Sequence, residues 1–230
     1  MKKIIVSLVT VPAILFTVTT GVAAQDVSFG IRGGLNLTNF IGDDAEFTDN
    51  GDTVSPDSKL GINLAGYANI PLTGQFSVQP ELIYSQKGAK YTDSDTIFDV
   101  DYESLVKWNL TYLEIPVLVK INFDQGEDMI PYLYAGPSVS LNLVAETENE
   151  VETTFQGETQ TTTETRDIKD DTADMDFGLV IGGGVELATG VTADIRYTMG
   201  LVSVDDPDDD TEDPADVYNS AISIMVGYSF

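Results

Sequence analysis

The feature that most limits the fold of this 230-residue chain is a repeated alternation of apolar and polar residues. In VTADIRYTMGL (191–201) every second residue is apolar, and most of the residues between are Thr, Asp or Arg. A period of two is typical of a β-strand whose two faces lie in different surroundings. Eight alternating or Gly-rich apolar segments are recognisable, at 27–38, 59–70, 75–87, 108–123, 130–144, 174–188, 191–203 and 218–230. The chain is therefore predicted to be all-β.

The connections between these segments alternate in length. Short connections containing Gly (PLTG, DQGEDM and TG) alternate with four long ones, at 39–58, 88–107, 145–173 and 204–217. Short turns at one end and long loops at the other are typical of bacterial outer-membrane barrels. We predict an eight-stranded antiparallel transmembrane up-and-down β-barrel with short periplasmic turns and long acidic extracellular loops. A soluble barrel or sandwich with the two faces exchanged is the alternative.

The first 24 residues have the three parts of a secretory signal. Lys2 and Lys3 supply the charged start, residues 4–18 are mainly apolar, and VAA at 22–24 fits a cleavage site. We expect cleavage after Ala24, which leaves the barrel domain at 25–230. A retained membrane anchor is the alternative, although the apolar stretch is short for a membrane span.

The composition excludes several classes of function. The chain has no Cys, so it forms no disulfides and performs no thiol catalysis. It also has no His, which removes the commonest general base and makes Ser-His catalysis impossible. The formal net charge is −27, which disfavours nucleic acid as a partner because phosphate binding needs clustered Lys and Arg. We therefore expect a protein that is not an enzyme and has no cofactor.

Charged residues recur at the inward positions of the predicted strands. The interior of an eight-stranded barrel is just wide enough to be filled by side chains, and an unpaired buried charge costs several kcal/mol. We therefore predict an ion-pair network in the lumen, in which Glu81 and Glu114 share Arg or Lys partners. Its predicted members are Arg32, Glu81, Lys87, Glu114, Lys120, Asp176, Glu186, Asp194 and Arg196.

Two tyrosines are expected to complete this interior. Tyr132 and Tyr134 are predicted to fill the space opposite Gly178, Gly182 and Gly184. One interpretation is a plug that specifies a single fold, and the other is a gated narrow pore or proton-linked switch. Paired carboxylates also perform acid–base hydrolysis, but a sealed barrel gives a substrate no access to them.

The four long connections contain 28 of the 38 acidic residues. Within DDPDDDTEDPAD (205–216) alternate carboxylates suggest a site for a hard cation such as calcium. The EF-hand pattern fails, because Thr211 stands where Gly is needed and Val217 where Glu is needed. A solvated acidic loop without a metal is the alternative. The candidate calcium ligands are Asp206, Asp208, Asp210 and Glu212.

The segment ETENEVETTFQGETQTTTETRD (146–167) alternates Thr with acidic residues. It is predicted to extend the neighbouring strands beyond the membrane as a hairpin that turns near Gly157, and a mobile loop is the alternative. A protruding sheet edge can pair with a strand of a partner chain.

Several motifs together resemble the PorT-like outer-membrane β-barrel family of the Bacteroidetes lineage. They are FGIRGGLNLTNF (29–40), QPELIYSQKG (79–88), YLEIPVLVK (112–120), PYLYAGPSVS (131–140), FGLVIGGGVEL (177–187), DIRYTMGL (194–201) and VGYSF (226–230). The resemblance implies an eight-stranded barrel in the outer membrane of a Gram-negative-type bacterium, surrounded by lipid and assembled by the barrel-insertion machinery. That machinery reads a last strand ending in an aromatic residue. The residues that resemble this insertion signal are Ile222, Ile224, Val226, Tyr228 and Phe230.

The family has no common enzymatic activity. We therefore expect a non-enzymatic integral outer-membrane protein with a structural or surface-interaction role toward an extracellular or envelope partner of unknown identity. A narrow pore for small solutes or ions is one alternative. A soluble periplasmic ligand-binding barrel is the other.

Overall fold

The computed structural model describes residues 27–49, 52–97, 100–123, 128–155, 158–205 and 215–230. The predicted signal segment, 1–24, lies outside these ranges. Within them, no helix has the length and apolar character needed to cross a membrane. The elements are β1 (Ser28–Ile41), β2 (Phe47–Asp49), β3 (Asp52–Val54), β4 (Asp57–Thr73), β5 (Phe76–Lys87), β6 (Ala89–Ile97), β7 (Val100–Asn122), β8 (Met129–Phe155), β9 (Glu158–Asp167), a 3-10 turn (Lys169–Asp171), β10 (Met175–Leu187), β11 (Val191–Gly200) and β12 (Tyr218–Ser229).

Eight of these strands form a closed antiparallel ring in the order β1, β4, β5, β7, β8, β10, β11 and β12. The ring closes where β1 pairs with β12, from Gly30 opposite Ser229 to Ile41 opposite Tyr218. Each strand of the ring pairs with the next strand of the ring along the chain, which is the predicted up-and-down topology. Closure gives every strand two partners and so leaves no edge along the barrel wall.

The distribution of side chains is the reverse of that in a soluble protein. The outer wall carries large apolar residues that are more than half exposed, such as Leu35, Leu64, Ile181 and Ile224. The inner wall carries buried polar and charged residues. An apolar band outside and a polar interior are required of a barrel that spans a membrane.

The short turns at one end have glycines in the left-handed region. Gly74, between β4 and β5, has φ = 57°, and Gly190, between β10 and β11, has φ = 87°. A residue with a Cβ atom rarely adopts these values, so Gly is favoured at both places. The segments PLTG and TG were predicted as turns because they are short and contain Gly, but β4 continues to Thr73, so only Gly74 of PLTG lies in the turn.

At the other end, much of the three long connections 39–58, 88–107 and 145–173 is strand, whereas the sequence predicted strand there only for the hairpin at 146–167. β7 begins at Val100 and β8 continues to Phe155, well beyond the predicted limits of 108 and 144. β6 and β9 pair with these extensions, so a four-stranded sheet in the order β6, β7, β8 and β9 projects beyond the ring. We call it the outer sheet.

The predicted hairpin at 146–167 is formed by the upper part of β8 and by β9, which pair from Glu146–Asp167 to Phe155–Glu158. Gly157 itself lies outside the described residues. The returning arm was expected to run on into the next barrel strand. It ends instead at Asp167, and a 3-10 turn at Lys169–Asp171 separates it from β10.

Candidate functional site

Four charged residues meet at mid-height in the barrel, and we call them the central cluster. They are Arg32 of β1, Glu81 of β5, and Asp194 and Arg196 of β11, each no more than 5% exposed. They lie together because each occupies an inward position and the closed ring brings β1 between β5 and β11. The two cations and two anions balance, as buried charges must.

Glu81 is the acceptor that joins both arginines. Arg196 Nη2 donates to Glu81 Oε2 at 3.0 Å, and Arg32 Nη2 donates to Oε1. Gln79 Nε2 also donates to Oε1, at 2.7 Å. On the opposite side Arg32 Nη1 donates to Asp194 Oδ2 at 2.8 Å, which completes the chain of charges.

Tyr134 of β8 organises the same cluster. Its hydroxyl donates to Asp194 Oδ1 at 2.7 Å and accepts from Arg196 Nε at 3.2 Å. The guanidinium carbons of Arg32 and Arg196 lie 5.7 and 5.2 Å from the centre of its ring. These distances suit cation–π attraction, which is strongest where water is excluded.

Further inward charges form separate pairs above and below this cluster. Lys87 Nζ lies 2.9 Å from Glu114 Oε1, on the side of the long connections. Lys120 Nζ lies 3.5 Å from Glu186 Oε2, nearer the short turns, and 4.0 Å from the centre of the Tyr132 ring.

Three details of the predicted interior are wrong. Glu81 and Glu114 share no cationic partner, because Glu114 lies opposite Ile83 in the ladder and reaches Lys87 instead. Asp176 forms no ion pair among the described residues, and it accepts the backbone N–H groups of Leu201 and Val202.

The third error concerns the tyrosines and the glycines. Gly182 lies opposite Tyr134 and Gly184 opposite Tyr132, as predicted, but Gly178 lies opposite Ser138. A Cβ atom at Gly182 would lie only 2.6 Å from atoms of the Tyr134 ring. Glycine is therefore required there, because the ring occupies the place of the missing side chain.

A neutral layer lies between the central cluster and the Lys87–Glu114 pair. Asn36 Nδ2 donates to Asn63 Oδ1 at 2.7 Å and to Ser85 Oγ at 3.1 Å. Ser223 Oγ donates to Asn36 Oδ1 at 2.7 Å. These hydrogen bonds link the inner faces of four neighbouring strands, β12, β1, β4 and β5, so buried polar side chains line this part of the lumen at this height.

An apolar layer, which the sequence analysis missed, lies across the end of the lumen that carries the long connections. We call it the outer apolar layer. It was missed because most of its members come from segments predicted as loops, where no periodic pattern marks them. Its buried residues are Phe40, Ala45, Ala89, Leu110, Tyr112, Ala145, Ile168 and Val204. Apart from the Tyr112 hydroxyl, which accepts a hydrogen bond from Asn219 Nδ2 at 3.1 Å, the side chains of this layer have no polar groups that could carry ions or water through.

The outer sheet is acidic, and in it one lysine forms ion pairs with two glutamates. Lys107 Nζ contacts Glu148 Oε1 at 2.9 Å and Glu150 Oε2 at 3.1 Å across the β7–β8 pair. These hydrogen bonds raise the pKa of the Lys107 ammonium group. Burial raises the pKa of Tyr91, whose hydroxyl donates to Ala45 O at 2.9 Å.

The candidate calcium ligands Asp206, Asp208, Asp210 and Glu212 lie outside the described residues. Within the described ranges, no group of three or more acidic residues is placed to hold a metal ion. The calcium site therefore stays a prediction.

The five residues proposed as an insertion signal share one face of β12 and its end. Ile222, Ile224, Val226, Tyr228 and Phe230 are all exposed on the outer wall, at fractions from 46% to 69%. Backbone hydrogen bonds between Phe29 and Phe230 fasten the end of this strand to β1.

A family model described as an outer membrane protein beta-barrel domain matches residues 23–206. Among proteins of curated function, none matches the sequence significantly.

Solved structures with similar architecture include Ail, the attachment invasion locus protein of Yersinia pestis, in complex with the heparin analogue sucrose octasulfate. It is 12% identical, the alignment covers 89% of this chain and 99% of that one, and the TM-score is 0.38. Neisserial surface protein A is 14% identical over 90% and 100% of the two chains, with a TM-score of 0.40. The outer membrane enzyme PagL is 13% identical over 86% and 98%, with a TM-score of 0.44.

Proposed function

The chain belongs to the outer membrane protein beta-barrel domain family and is located in the outer membrane, and from this we propose that it is a non-enzymatic surface-interaction protein. Its partner segment binds by adding a strand to the outer sheet. The barrel below serves as a closed membrane anchor.

The observation that carries this proposal is the state of β9. Among the described residues β9 pairs only with β8, so its other edge has unpaired backbone N–H and C=O groups. All ten of its residues are exposed. An edge of this length is a template for another extended chain, since main-chain hydrogen bonds supply the affinity.

The charge of the outer sheet indicates the chemistry of the partner. β9 contains three acidic residues and one basic residue, and the paired part of β8 adds Glu146, Glu148, Glu150 and Glu152. A basic extended segment is attracted to this surface, whereas an acidic one is repelled. We therefore propose an extended polypeptide rich in Lys or Arg as the ligand class.

The interior supports an anchor better than a pore. The central cluster, the neutral Asn–Ser layer and the outer apolar layer follow one another along the lumen, and all three are buried. Passage of an ion would require the paired charges to separate. We therefore expect no channel events when the full-length protein is reconstituted in planar lipid bilayers, and regular conductance steps would contradict the anchor.

The test of strand addition is binding of a labelled decapeptide of alternating Lys and Thr to the protein in detergent micelles, measured by fluorescence anisotropy. The control is the same peptide with every backbone nitrogen methylated, which keeps the charge but cannot form the ladder. We expect the unmethylated peptide to bind at least about tenfold more tightly, a difference of about 1.4 kcal/mol. Equal binding would reduce the interaction to charge attraction and refute strand addition.

A matched pair of variants locates the site. Glu158→Gln combined with Glu164→Gln removes two negative charges from β9 and should weaken peptide binding severalfold. Glu46→Gln combined with Asp57→Asn removes two exposed charges outside β8 and β9 and should leave peptide binding unchanged. Equal effects of the two would place the peptide elsewhere on the acidic surface.

A further inference from the structure

A pocket lies on the solvent side of the outer apolar layer, and nothing in the proposed function uses it. Its volume is about 320 Å³, which is at the lower end of the range for small-molecule sites. Its walls come from β1, β2, β6 and β7 and from the two sides of the connection before β12. The lining residues are Phe40, Asp44, Phe47, Tyr91, Val106, Trp108, Val204, Asp205, Ala215 and Val217.

Two aromatic pairs line the pocket. Phe40 and Trp108 meet edge to face, with ring centres 5.8 Å apart and planes at 81°. Phe47 and Tyr91 are tilted at 47° with centres 5.5 Å apart. The Tyr91 hydroxyl donates to Ala45 O, so the ring is held in place by a hydrogen bond as well as by packing.

Two carboxylates accompany these rings. Asp44 Oδ2 accepts the backbone N–H of Asp216 at 2.8 Å, and Asp205 Oδ2 accepts that of Ala215 at 3.0 Å. These hydrogen bonds fix both side chains beside the pocket. Among the described residues that line it there is no Lys or Arg, so its net charge is negative.

We propose that this pocket binds a small amphiphilic organic cation. Such a ligand has one ammonium or quaternary ammonium group attached to an apolar body about the size of a benzyl group. Aromatic faces attract such a cation through their negative quadrupoles, and the carboxylates add Coulomb attraction. The apolar body displaces water from Phe47, Val106 and Val217. A net charge of −27 on the whole chain raises the local concentration of cations further.

The proposal is independent of strand addition, because no residue of β9 lines the pocket. It is also separate from the lumen. Phe40 and Val204 line the pocket and also belong to the outer apolar layer. A bound molecule therefore contacts that layer from outside and does not enter the barrel.

Trp108 is the one Trp in the chain and lines the pocket, so its fluorescence reports occupancy directly. The experiment titrates the full-length protein in detergent micelles with benzyltrimethylammonium chloride. The comparison compound is neopentylbenzene, which has nearly the same shape and no charge. We expect a saturable change with the cation, at least about tenfold tighter than with the neutral compound, and weakening as salt rises.

Variants identify the groups responsible. Asp44→Asn combined with Asp205→Asn keeps both hydrogen-bond acceptors and removes both charges, and should weaken binding of the cation about tenfold. Val106→Phe fills the pocket and should abolish the saturable change. Asp128→Asn, just before β8 at the short-turn end of the barrel, removes one exposed charge far from the pocket and should leave the affinity unchanged within twofold.

Two results would overturn the proposal. One is equal affinity for the cation and the neutral compound, which would describe an apolar cavity without selectivity. The other is an unsaturable response in the unaltered protein, which would mean that no site exists. Correct folding of each variant is checked by the shift in gel mobility between unboiled and boiled samples.

Discussion

Replacement of Glu81 by Gln tests whether the central cluster holds the barrel together. The substitution preserves size and removes one negative charge from a position that is 4% exposed. Arg32 and Arg196 then share a single buried anion, Asp194, and the Gln amide group directs an N–H toward two groups that are themselves donors. The cluster changes from neutral to a net charge of +1.

The expected loss follows from the contacts. Glu81 accepts from both arginines and from Gln79, and hydrogen bonds to charged groups contribute about 1.5–3 kcal/mol each. These values do not add, because the arginines retain Asp194 and Tyr134. Removal of one partner from a buried ion pair costs about 3–5 kcal/mol, and we expect the free energy of unfolding to fall by that amount.

The assay is reversible unfolding in urea from phospholipid vesicles, followed by Trp108 fluorescence and by gel mobility of unboiled samples. Glu164→Gln is the control, since it is the same chemical change on the exposed strand β9, and it should alter the free energy of unfolding by less than about 0.5 kcal/mol.

A double variant separates charge balance from local damage. Glu81→Gln with Arg196→Gln restores neutrality, so its loss should be smaller than the sum of the two single losses by about 0.5–3 kcal/mol. A loss below about 1 kcal/mol for Glu81→Gln alone, or strict additivity in the double variant, would refute the view that these charges depend on one another.

Three further changes probe other parts of the structure. Tyr134→Phe should cost about 1–3 kcal/mol in the same unfolding assay, because Asp194 loses a donor, and an unchanged midpoint would contradict this. Gly182→Val should cost about 1–3 kcal/mol or prevent closure because it displaces the Tyr134 ring; Gly66→Val, where a Cβ meets nothing within 4 Å, should fold with a normal gel shift. Lys107→Gln should reduce the fall in melting temperature as the pH is raised into the alkaline range, measured by thermal unfolding followed by fluorescence. Because folding raises the pKa of Lys107, the stability that its ion pairs contribute is complete below the ordinary Lys pKa and is lost as the pH rises through the pKa of the folded state. Parallel curves of melting temperature against pH for the two proteins would contradict this.

The sequence by itself determined the architecture. The period of two assigned side chains to an inner and an outer face. The alternation of short and long connections indicated that neighbouring strands are antiparallel. The apolar face of 222–230 and the inward positions of Arg32 and Glu114 followed directly, because the face of a residue in a strand depends only on its parity.

Parity does not give the height of a residue in the barrel. Glu81 and Glu114 were expected to share partners because both face inward on adjacent strands. The ladder places Glu114 opposite Ile83, two residues from Glu81 and about 7 Å farther along the barrel. Arg32 and Asp194 are distant in sequence, and only the closure of β1 against β12 brings them within 2.8 Å.

The tertiary structure also decided what lies beyond the membrane. The sequence predicted the hairpin at 146–167 but only a loop at 88–107, whereas β6 and the extended β7 pair there as strands, since each extension satisfies the backbone hydrogen bonds of its neighbour. The pocket beside Trp108 gathers residues from β1, β2, β6, β7 and the connection before β12. The alternation of residues along one strand does not predict which residues of different strands come into contact, because register and closure depend on several strands together.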